Sequence, residues 1–347
     1  MRGIAALLVL ILHVSQVFLE DKNIGATGRG MNNFIEFIDL GRIGITIFFI
    51  ISGFVICKSF NKKQKELKSF VIKRFFRLYP LFWFSLILGA IVLWPLGGQQ
   101  LNSHIIGGNA TMLPAFFSQP FVIGLYWTLE TELLFYVLAS LLFYFGLIRN
   151  SAVLLGLTIL LYVLLLVFTF VPSTQPALPH WVATPYHLSL MLLGVSMRYA
   201  YDESEKEKSA RYSLKNIAYL HLLILLLIPI YILANYFLRG IETNLTDAIA
   251  YLIGISIFVI GLKALKTAPS FLVYLGMISY SIYLLHPIVF TLVRKLVVKT
   301  PELHNLHLSI YLIICAVGTI ILSAITYRFL EAPANKLGKK LARKYLV

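Results

Sequence analysis

The chain has 347 residues, 59% of them hydrophobic and only 13% charged, with 30 Lys plus Arg against 15 Asp plus Glu. A soluble domain is about half apolar and about a quarter charged, so this composition, with a mean hydropathy of +0.83, excludes one and implies an all-α polytopic membrane protein. Cys57 and Cys315 lie in apolar runs without neighbours at metal-ligand spacing, and read as small core residues.

A membrane-spanning helix needs about 20 mainly apolar residues. On that basis the chain holds about ten spans, at 2–19, 38–58, 71–95, 121–146, 151–171, 185–200, 216–238, 247–264, 271–293 and 307–330. The first belongs to the fold: Arg2 abuts an uninterrupted apolar run, and no small-residue cleavage site follows as in a signal peptide. Pro229 sits inside the seventh, where a kink is tolerable if neighbouring groups satisfy the freed backbone.

With the N-terminus inside, 23 of the 30 Lys and Arg fall on the cytoplasmic side, among them a run over 58–77. Outside stand only Lys22, Arg29, Arg42, Arg239, Arg294, Lys295 and Lys299. The positive-inside rule then places both termini in the cytoplasm. The basic charge is a topological signal facing anionic lipid, and argues for a bilayer and no nucleic acid as partner. Residues 1–335 read as one transmembrane domain and 336–347 as a short basic cytoplasmic tail. Two outside loops, about 96–120 and 172–184, contain no Lys, Arg, Asp or Glu. Their amide and hydroxyl side chains suit a neutral ligand such as a sugar, or are those of ordinary loops.

Ionisable residues at bilayer depth are costly and mark candidate sites. Arg2 and His13 are 11 residues apart, which on a helix puts both on one face and about 16 Å apart along the axis. The pair could hold two ends of one long molecule, a phosphate at the membrane edge and a reactive group at depth. A pantetheine arm carrying a thioester has that reach. In KRFFRLYP (73–80), Arg74 and Arg77 share a face, and each offers a planar fork of donors suited to phosphate. The alternative for all three arginines is simple positive-inside flanking.

In YWTLETELLFY (126–136), Glu130 and Glu132 point about 200° apart on a helix. Glu132 counts to the same depth as His13, so a carboxylate–histidine pair is expected, with Glu132 orienting the ring. Glu130, nearer the outside, is placed to meet an entering polar ligand, with Trp127 beside it. ISYSIYLLHP (278–287) makes a polar stripe of Ser279, Tyr280, Ser281, Tyr283 and His286. That stripe is either interhelical glue or, through Tyr283 and His286, pocket lining. No His or carboxylate set shows metal-ligand spacing, and no metal is expected.

Together these stretches resemble, nearly end to end, the membrane acyltransferase 3 family of bacterial O-acyltransferases. RGIAALLVLILH (2–13) is similar to its opening helix and IFFIISGFVI (47–56) to its second span. KRFFRLYP matches its Arg-x-x-Arg element, YWTLETELLFY its Trp–Glu–Phe-Tyr span, and SYSIYLLHPIV (279–289) and TYRFLEAPANK (326–336) its last two. The resemblance implies a ten-helix domain in the bacterial inner membrane. The implied activity moves an acyl group, usually acetyl, from cytoplasmic acyl-CoA as co-substrate to a hydroxyl of a cell-surface glycan or its lipid-linked precursor, including lipopolysaccharide. It maps the essential positions onto His13, Arg2, Arg74 and Arg77, and the fourth-span carboxylate onto Glu132. The expected roles are then catalysis for His13 and Glu132, acyl-CoA binding for Arg2, Arg74 and Arg77, and acceptor binding for Glu130, Trp127, His286 and Tyr283. His13 would be a general base on the acceptor or would itself carry the acyl group. Some members add a soluble hydrolase-like domain after the last span, so this chain is expected to act alone or with a separate soluble transferase. Family chains also usually have several residues before the first Arg, where this one has only Met1. The rival reading from another class is a transporter or flippase for a glycolipid or an acyl-bearing small molecule.

Overall fold

A computed structural model of the chain describes residues 1–59, 65–94, 101–170, 179–205, 214–239, 245–264 and 268–344. Lys62, Lys63, Lys206, Lys208, Arg211 and Lys266, and parts of both uncharged loops, lie outside the described residues.

Among those residues the fold is helical, and the sole β-type pairing is an isolated bridge between Thr27 and His307. The helices are α1 (Arg2–Glu20), α2 (Arg29–Phe37), α3 (Leu40–Ile56), α4 (Lys65–Val92), α5 (Ser103–Ala110), α6 (Tyr126–Tyr144) and α7 (Ser151–Phe170). There follow α8 (Pro179–Glu205), α9 (Leu214–Arg239), α10 (Leu245–Ala264), α11 (Ser270–Met277), α12 (Ser279–Lys299), α13 (Leu308–Thr326) and α14 (Ala332–Arg343).

Six helical stretches of the described chain are long and apolar enough to cross a membrane: Arg2–Glu20, Leu67–Val92, Tyr126–Tyr144, Leu245–Leu262, Ser279–Lys299 and Leu308–Arg343. The other four predicted spans coincide with α3, α7, α8 and α9. Of these, α3 has 17 residues, and α7 and α9 contribute the shorter apolar stretches Ser151–Val167 and Asn216–Ile230.

The central helix is α3, which packs against α1, α8 and α10. Its contact with α8 is backbone on backbone. A side chain at Gly53 would run into the Met191 carbonyl, and one at Gly194 into the Ile50 carbonyl. Small residues allow this approach where lipid supplies no hydrophobic drive between helices. At its start, Asp39 adopts a left-handed φ of 44° and its Oδ1 accepts from the Arg42 N–H at 2.9 Å, capping α3.

Pro229 lies inside α9 as expected, and its freed groups find partners on neighbours. The Leu225 carbonyl accepts from the Tyr186 hydroxyl at 3.1 Å, and the Ile228 N–H donates to the Tyr162 hydroxyl at 2.7 Å.

Two predicted elements differ. The span at 271–293 is two helices, broken at Ile278 with φ −89° and ψ 4°. The Ser279 hydroxyl donates to the Gly276 carbonyl at 2.9 Å, and Gly3 packs against Leu275 and Gly276, so the break seats the start of α1. The last span does not end at 330. It passes through a π-helical turn, Tyr327–Glu331, into α14. The basic segment from 336 is therefore part of a helix, and Gly338 packs on Phe76 of α4 while Ala342 is fully buried.

Candidate active site

Helices α1, α3, α4, α6 and α12 enclose a cavity that gathers Arg2, Arg74, Arg77, Glu132, Tyr136 and Tyr283, floored by Phe48 and Phe49. Arg2 arrives from the first turn of α1, and its buried Nε has no hydrogen-bond partner among the described residues. Arg74 lies over the Phe70 and Tyr136 rings, at 5.3 and 4.8 Å, and donates to the Tyr136 hydroxyl at 3.2 Å. That hydroxyl in turn donates to Glu132 Oε1 at 2.5 Å, which also accepts from Ser52 at 3.2 Å.

Arg77 turns to Glu331, its NH1 donating to Oε1 at 3.0 Å, while Ser281 donates to the other oxygen at 2.8 Å. The Glu331 side chain is 0% exposed and the Arg77 side chain 27%. Three guanidinium groups thus face two carboxylates, leaving one net positive charge in a partly dry site. A buried charge needs a partner or a ligand, and the unmatched donor is on Arg2.

His13 lies deeper along α1 and is not part of this lining. Its Nδ1 meets Nε2 of His286 at 3.2 Å, and the two rings stack with centroids 5.4 Å apart. The Tyr283 ring links the two regions: it sits 6.0 Å from the His286 ring, faces Phe48 edge-on, and shares a 2.7 Å hydrogen bond with Thr128.

The expected His13–Glu132 hydrogen bond therefore does not form. Equal depth along two separate axes is not contact, and the Glu132 carboxylate goes to the nearest strong donors, Tyr136 and Ser52. Glu130 is 2% exposed on the other face of α6 and does not line the cavity. Trp127 also lies outside it, packed on Phe49 and His187 at 6.2 and 5.2 Å. Beyond it His187 bonds Tyr251 at 3.0 Å, and Arg42 pairs with Asp39 and Asp247 at 2.9 and 3.0 Å. Among the described residues no group of three or more His, Cys, Asp or Glu could hold a metal. Glu331 went unnoticed in the sequence, although an acidic residue closing an apolar span is the same signal that marks Glu132.

The family described as acyltransferase domain matches residues 1–328, and the chain belongs to it. That family defines an acyltransferase. Among curated proteins the chain is similar to the peptidoglycan O-acetyltransferase OatA of Listeria monocytogenes, at 27% identity over 332 residues covering 86% of this chain and 52% of that protein. It is also similar to the acyltransferase MdmB of Streptomyces mycarofaciens, at 25% identity over 146 residues, 40% of this chain and 36% of that protein. The chain thus spans about half the length or less of these relatives. No solved structure matches it.

Proposed function

We propose that this protein is a multi-pass O-acyltransferase of the bacterial plasma membrane. It moves an acyl group, acetyl in the first instance, from cytoplasmic acyl-CoA to a hydroxyl of a cell-surface glycan or its lipid-linked precursor. The observation that carries this reading is the gathering of Arg2, Arg74 and Arg77 in one cavity at the start of the helix that presents His13 eleven residues on. Family membership supports acyl transfer, and the peptidoglycan named in one relative supports a glycan acceptor.

On this reading Arg2 and Arg74 hold the CoA phosphates, with Arg77 set behind them by Glu331. Glu132 and Tyr136 fix Arg74 in place. The pantetheine arm follows α1 past Phe48 and Tyr283 to His13. The acceptor enters from the opposite side of the membrane and meets the acyl group at His13. His13 takes the hydroxyl proton as the oxygen attacks the thioester carbonyl. An ester forms, the C–S bond breaks, and the proton passes to the departing CoA thiolate. Positioned proton transfer of this kind contributes about 10²- to 10⁴-fold, and holding both substrates in register adds to it. Ten spans and cytoplasmic termini complete the proposal.

The test is transfer of label from radioactive acetyl-CoA to the glycan fraction by membranes holding the full chain. Transfer that falls by about 10² or more in His13→Ala is expected. Undiminished transfer in that variant overturns the assignment of His13 as base. Label bound by the protein but moved to no glycan turns the reading toward transport.

A further inference from the structure

The contact between His13 and His286 has a direction, and a carbonyl sets it. Nδ1 of His286 lies 3.1 Å from the carbonyl oxygen of Ile282, one turn back on α12. A carbonyl only accepts, so His286 Nδ1 carries a hydrogen and donates. In a neutral ring the second nitrogen, Nε2, is then a bare acceptor. That nitrogen faces His13 Nδ1 at 3.2 Å. His13 must therefore carry its hydrogen on Nδ1, which in a neutral ring makes Nε2 of His13 the acceptor nitrogen.

The alternative is a charged His286 donating to His13. It would place a cation on a ring 1% exposed, between the Tyr283 and Phe290 rings at 6.0 Å each. Such a charge costs heavily without a counter-ion. The carboxylates of Glu132 and Glu331 are held elsewhere, by Tyr136 and Ser52 and by Arg77 and Ser281, and Asp39, whose charge reaches His13, is paired with Arg42 at 2.9 Å.

We propose that His286 is a positioning residue that holds His13 in the Nδ1–H tautomer, so that Nε2 of His13 is the atom that takes the acceptor proton. This rests on the reading of His13 as the base. It removes His286 from acceptor binding. When His13 becomes protonated, the His286 lone pair still accepts its Nδ1–H, so the ring keeps its orientation through the proton transfer.

Three full-chain variants in membranes, His13→Ala, His286→Leu and His286→Gln, test this together with ¹⁵N-histidine spectra of the unmutated protein. A glutamine oxygen can reach the place of the imidazole Nε2 and accept, whereas leucine fills space without accepting. His286→Leu is expected to lower kcat by on the order of 10²-fold or more, since a histidine base in the wrong tautomer loses up to about 10⁴-fold. KM for acetyl-CoA should stay unchanged, because the arginine cavity is untouched. His286→Gln should restore most of kcat, and the spectra should show His13 Nε2 unprotonated. Unmutated kcat in a folded His286→Leu, or a His13 whose Nε2 bears the hydrogen, overturns the proposal. So does a folded His286→Gln no better than leucine. If both variants misfold, the spectra of the unmutated protein decide alone. Transfer that survives His13→Ala would sink the reading of His13 itself, while the spectra would still decide the direction of the hydrogen bond.

Discussion

At the scale of residues, the cavity is governed by what each arginine already holds. Arg77 is matched by Glu331 and Arg74 by Tyr136, while the buried Nε of Arg2 is a donor without a partner among the described residues. Removing one member of a fully buried ion pair costs about 3–5 kcal/mol. Because the Arg77 side chain is 27% exposed, Glu331→Gln should cost less, about 2–3 kcal/mol, read as lost thermal stability in detergent. An unchanged melting point would mean that the pair contributes nothing. Tyr136→Phe keeps the ring under Arg74 but deletes the hydroxyl that ties it to Glu132. A hydrogen bond to a charged group is worth about 1.5–3 kcal/mol, so KM for acetyl-CoA should rise by roughly 10- to 150-fold with kcat nearly intact. A fall in kcat at constant KM would instead place Tyr136 in the chemistry.

At the scale of elements, helix irregularities position the site. The break between α11 and α12 seats the first turn of α1, and with it Arg2. The π-helical turn before α14 buries Glu331 against Arg77, and such single-turn π insertions are frequent at functional sites. Pro229 in α9 is repaired by tyrosines from α7 and α8. Alanine at 229 would regain an N–H able to bond the Leu225 carbonyl. Tyr186→Phe should therefore cost about 1 kcal/mol in the native chain and close to nothing beside Pro229→Ala. Equal costs in both backgrounds, measured by thermal unfolding, would show that the Tyr186 hydroxyl does not serve the proline.

At the scale of the whole molecule, the charge asymmetry carries the proposed topology. Single cysteines at Lys22 and Lys344 test it, since native Cys57 and Cys315 are buried at 7% and 0% exposure. An impermeant maleimide should label Lys22→Cys on intact spheroplasts, and Lys344→Cys only after permeabilisation. The reverse pattern would invert the protein.

Much of this was legible in one dimension. Apolar runs long enough for a bilayer and the rarity of charge along them follow from solvation, which acts residue by residue. The same rule singled out Arg2, Arg74, Arg77, His13 and Glu132, because helical spacing within one segment is a local property. Pairing between segments is not. Depth counted along α1 and α6 suggested a His13–Glu132 bond, but which faces meet depends on how glycines such as Gly53 and Gly194 let backbones approach. Only the packed helices decided that Glu132 joins Tyr136 and Ser52, that Glu331 closes the circuit of Arg77, and that the partner of His13 is His286. Side chains distant in sequence choose partners by proximity and unmet hydrogen-bonding demand, and both arise only once the helices are assembled.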